Sequence, residues 1–69
     1  MSKEMSFAVF CLENYRTYRK LTGKEVMHLF QTYDVLSYLV DYYDTLHTVG
    51  YQYLMEDIDE YLLTRGFAL

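Results

Sequence analysis

The chain has 69 residues, 52% of them hydrophobic and 23% charged, with nine tyrosines, one cysteine and no proline or tryptophan. That balance describes a globular chain rather than a disordered one, and residues 1–69 read as a single helical domain with little room for both a core and a deep cleft. A lone cysteine excludes a disulfide-stapled scaffold.

The longest apolar run, Phe7 to Leu12, is far shorter than the roughly 20 residues that span a bilayer. The opening residues lead straight into helical periodicity without a secretory pattern. The expected compartment is the cytoplasm.

The formal net charge is −4. It is unevenly spread. Residues 1–24 carry +3, residues 25–64 contain no Lys or Arg and carry −8, and Arg65 adds one positive charge. A net-acidic chain is a poor global binder of polyanions. Such segregation favours internal ion pairing or an acidic face meant for a partner.

The first helix is expected from Lys3 or Glu4 to Lys20. Phe7, Ala8, Phe10, Cys11, Asn14, Tyr15, Tyr18 and Leu21 share one broad face at 100° per residue. Val9 falls on the polar side, and Asn14 needs partners for its amide. The second helix opens with Thr22-Gly23-Lys24-Glu25, which has the form of a capping box with Thr22 as N-cap and Glu25 at N3. Leu21 and Val26 are spaced for the hydrophobic staple. The dense apolar surface of Val26, Met27, Leu29, Phe30 and Tyr33 predicts a central helix.

Asp34 is a candidate cap for a third helix, in which Val35, Leu39, Tyr42 and Leu46 recur at core spacing. His47 falls in its last turn and Gly50 ends it. Tyr51-Gln52-Tyr53 reads as a short extended connection. A fourth helix is expected to begin within 54–57. Asp57 and Glu60 could then form a capping box, and Glu56 to Glu60 would suit the positive helix end. Phe67-Ala68-Leu69 is a short apolar tail after Gly66. The expected fold is all-α: a compact four-helix domain with short turns.

No catalytic, metal or cofactor motif is present. Cys11 sits among Phe7, Phe10 and Tyr15 and reads as a small buried hydrophobe. Asp44 and His47 make half a zinc site at most. From Asp57, the fifth and sixth positions of a calcium loop fall on Tyr61 and Leu62, so that pattern fails. The carboxylates lie on exposed helix faces, where nothing raises a pKa for acid–base work. The chain is expected to be no enzyme and to hold no cofactor.

Two groups of residues could bind a partner. Arg16, Arg19, Lys20 and Lys24 form the one basic cluster, the basis of an alternative reading as a small nucleic-acid-binding regulator. The third helix offers no side chain that reads base edges, so nucleic acid is the weaker choice. Tyrosines dominate the other group. Tyr15, Tyr18, Tyr33, Tyr42 and Tyr61 fall on core stripes. Tyr38, Tyr43, Tyr51 and Tyr53 exceed what so small a core can bury, and tyrosine is enriched at interfaces. With Glu56, Asp57, Asp59 and Glu60 they make an acidic candidate surface for a protein partner or a second copy.

The stretch Leu21-Thr22-Gly23-Lys24-Glu25-Val26 is followed in order by Leu29-Phe30, Val35-Leu36, Tyr42, Leu46-His47-Thr48 and Asp57-Ile58-Asp59. Together they resemble a family of short bacterial proteins classed as a domain of unknown function. The resemblance covers nearly the whole chain. It implies a cytoplasmic protein, often encoded beside an ADP-ribosyltransferase-like protein, and hence an antitoxin-like companion of that neighbour. It supplies no catalytic residues.

Overall fold

The structure, a computed structural model, describes residues 1–69. It is all-helical. Five helices follow one another: α1 (Lys3–Tyr18), α2 (Gly23–Thr32), α3 (Val35–Asp41), α4 (Tyr43–Leu46) and α5 (Tyr51–Thr64). None is long and apolar enough to cross a membrane.

Several boundaries have a local cause. The Ser2 hydroxyl accepts the Met5 N–H at 3.1 Å and caps α1. The capping box of α2 forms as expected: Glu25 N–H donates to Thr22 Oγ1 at 3.1 Å, and Thr22 N–H donates to Glu25 Oε1 at 2.8 Å. α1 stops at Tyr18, two residues before the expected end, because Lys20 turns left-handed at φ 57°. Lys20 N–H then reaches the Thr17 carbonyl and Leu21 N–H the Arg16 carbonyl, which is a Schellman motif. Gly66 closes α5 in the same way at φ 95°. Its N–H bonds the Leu63 carbonyl, and the Phe67 N–H bonds the Leu62 carbonyl.

Several expectations are corrected. The expected third helix is two helices, broken at Tyr42, so the fold has five helices rather than four. Asp34 does not cap α3 with its side chain, since it sits left-handed at φ 55° where an N-cap needs extended backbone. Tyr51-Gln52-Tyr53 is not extended but forms the first turn of α5, with Gly50 as N-cap. Starting there lets Leu54 and Met55 reach the core and brings Tyr51 to within 6.5 Å of Tyr18, edge to face. Asp57 and Glu60 consequently lie mid-helix and form no capping box, and no acid occupies the first turn of α5.

Fifteen buried residues make one core. α1 supplies Ala8, Cys11, Leu12 and Tyr15, and packs on α2, α3 and α5. The central helix is therefore α1, not α2 as its apolar surface implied. α5 closes the core with Leu54, Met55, Ile58, Tyr61 and Leu62. Two residues placed on core stripes face solvent instead: Phe10 is 55% exposed and Tyr42 is 56% exposed. The Asn14 amide is satisfied by the Phe10 carbonyl at 2.8 Å. Of the tail, Phe67 packs, with its ring edge-on to Tyr33 at 5.6 Å, while Ala68 and Leu69 are exposed.

Candidate functional site

The acidic run of α5 divides by helical geometry. At 100° per residue, Asp57 and Asp59 fall on opposite flanks of the helix, with Ile58 between them on the core side. Each flank is fastened by a tyrosine. Tyr38 of α3 donates its hydroxyl to Asp57 Oδ2 at 2.6 Å, and Tyr15 of α1 donates to Asp59 Oδ1 at 2.6 Å. Arg19 adds a fork on Asp59, with Nε to Oδ1 at 3.1 Å and Nη2 to Oδ2 at 2.6 Å. Burial, and then the bond to the carboxylate, hold both tyrosine hydroxyls far above their ordinary titration range. The hydrogen bond to Asp59 likewise raises Arg19 further above its usual value.

Glu56 and Glu60 point outward, one turn apart on the exposed side of α5. Glu56 accepts from the Gln52 amide at 2.9 Å. Neither meets a cation of this chain; the two salt bridges present are Arg19–Asp59 and Arg16–Glu13. Tyr53 shares the outer face of α5 and is 61% exposed.

The tyrosines expected to face a partner separate likewise. Tyr51 and Tyr53 are exposed. Tyr38 is half-buried and stacks on buried Tyr61 with centroids 4.2 Å apart. Tyr43 is also half-buried, stacked on His47 at 4.2 Å and edge-on to Phe7 at 5.5 Å. Tyr42 is the surface ring that sequence reasoning missed. Its place at core spacing in an assumed straight helix hid it, and no local signal marks the break.

The basic cluster is partly spent. Arg19 is held by Asp59, and Arg16 lies 3.7 Å from Glu13. Lys20 and Lys24 remain exposed at the α1–α2 corner.

Cys11 is completely buried, and burial pushes its thiol up to about 12. A reactive thiol needs the opposite environment. No group of three or more potential metal ligands is gathered anywhere. One shallow cleft of about 190 Å³ lies among Tyr15, Arg19, Leu21, Leu29 and the Phe67–Leu69 tail. It is smaller than the roughly 300 Å³ at which ligand pockets begin.

A family model described as "Protein of unknown function (DUF3791)" matches residues 6–65. The chain belongs to that family. No curated protein and no solved structure matches it. The family match spans every residue of the α5 acidic run and the Tyr38–Asp57 and Tyr15–Asp59 fastenings.

Proposed function

We propose that this chain is a non-catalytic protein-binding module whose acidic, tyrosine-bearing α5 side docks on a basic partner. The supporting observation is the division of labour within residues 56–60. Asp57 and Asp59 hold the helix in place, while Glu56 and Glu60 stand free of cations beside exposed Tyr53. Exposed carboxylates with an aromatic ring suit a surface that guides and seats a cationic partner.

The partner we favour is the ADP-ribosyltransferase-like neighbour that the family resemblance implies, with this chain as its antitoxin-like companion. The mechanism would be steric and electrostatic: α5 covers a basic, phosphate-binding cleft. A nucleic-acid role has less support, because half of the basic 16–24 cluster is engaged with Asp59 and Glu13. The chain is expected to act in the cytoplasm.

The test is affinity for the neighbour with Glu56→Lys and Glu60→Lys combined. The double reversal is expected to weaken binding at least tenfold and leave the fold intact, since neither side chain fastens one helix to another. Unchanged affinity would reject this docking side. Asp57 and Asp59 are unsuitable probes, because their reversal breaks the fastenings of α5.

A further inference from the structure

Four groups form a continuous column across α3 and α5. The Tyr42 ring lies 5.2 Å from Tyr38, tilted 45° to it, Tyr38 stacks on Tyr61 at 4.2 Å, and the Arg65 guanidinium sits 3.6 Å from the Tyr61 centroid. One end of the column is thus capped by the chain's own guanidinium. Tyr42, at the other end, is 56% exposed and carries no cation.

Tyr42 leans on an anchored ring. Tyr38, its support, is anchored through its hydroxyl to Asp57. Asp41 precedes Tyr42 and Asp44 follows shortly after; both are exposed, and residues 25–64 supply no Lys or Arg to occupy the ring. A positioned ring face with carboxylates near it in sequence favours a cation, and a planar guanidinium can stack on it where an ammonium cannot.

We propose that Tyr42 is the seat for an arginine side chain of the basic partner, repeating at the open end of the column the contact Arg65 makes at the closed end. This rests on the protein-binding reading and names the chemistry of its anchor. It also moves the centre of the docking surface toward Tyr42, on the α3–α4 side of the Tyr38–Asp57 contact.

The experiment uses the full chain and a nine-residue arginine peptide at low salt, with binding followed by calorimetry and tyrosine ring resonances by NMR. Tyr42→Phe keeps the ring and is expected to bind as the unaltered chain does. Tyr42→Ala is expected to bind about fivefold more weakly, the scale of one exposed cation–π contact. A lysine peptide of equal charge should bind less tightly. Equal affinity of Tyr42→Ala and the unaltered chain, with binding still lost on Glu56→Lys/Glu60→Lys, would overturn the Tyr42 seat and keep the acidic docking side. Equal binding of the lysine peptide would overturn the guanidinium choice. No binding of the arginine peptide would overturn both the seat and the reading beneath it.

Discussion

Single hydroxyls carry much of the specificity of this small fold. Tyr15 is fully buried, yet its oxygen reaches Asp59, whose carboxylate also takes the Arg19 fork. Removing that hydroxyl by Tyr15→Phe leaves Asp59 paired with Arg19 and is expected to cost about 1.5–3 kcal/mol, the range for a hydrogen bond to a charged group. Urea denaturation checks it; a loss below a few tenths would deny the bond a role.

Alkali should expose the same dependence. Cys11 is raised from 9.0 to about 12, and Tyr15 and Tyr38 are raised as well. Each group binds its proton more tightly folded than unfolded. The stability this supplies is complete below the unfolded value and is lost as pH climbs through the folded one. The melting temperature is therefore expected to fall between about pH 9 and 12, and a flat profile there would contradict it. Within the folded range, Cys11 should react with thiol reagents only as fast as the protein opens, because its sulfur is buried and protonated.

Elements were readable from sequence where their signals are local. The Thr22 and Glu25 spacing specifies the start of α2 to the residue, because a capping box needs nothing beyond four neighbouring positions. Thr22→Ala is accordingly expected to cost about 1 kcal/mol by thermal denaturation. The α1 terminus shows the opposite case. Lys20 occupies a left-handed position that glycine fills more easily, so Lys20→Gly is expected to raise stability by about 1 kcal/mol. A loss instead would show that the Lys20 side chain contributes more than its backbone strain costs.

Where an element depends on distant packing, the pattern misled. Tyr51 to Tyr53 alternate like a strand, but they form the first turn of the helix that carries Leu54 and Met55 in the core. The break at Tyr42 carries no glycine or proline. The buried side chains on either side of it, Leu39 and Leu46, fit an unbroken core stripe equally well. The candidate site inherits both errors: α5 was expected to begin near its acids, and Tyr42 was assigned to the core. Exposed Tyr53, Glu56 and Glu60 were visible in the residues alone. The use of Asp57 and Asp59 as fastenings was not, since it depends on tyrosines 19 and 44 residues away.

At the scale of the whole molecule, segregated charge is resolved in two ways. One contact, Arg19 to Asp59, ties the basic first third to the acidic remainder. Most of the surplus negative charge stays at the surface, and membership of DUF3791 attaches no activity to it. Asp57 and Asp59 serve the fold; in the proposed reading Glu56, Glu60, Tyr42 and Tyr53 are the groups left to meet a partner. The most direct measurement is the light-scattering mass across gel filtration of this chain co-expressed with the ADP-ribosyltransferase-like neighbour proposed as its partner. A stable hetero-complex that dissociates when Glu56 and Glu60 become Lys is the expected result. This chain eluting alone, at the same mass with and without the neighbour, would contradict the binding role.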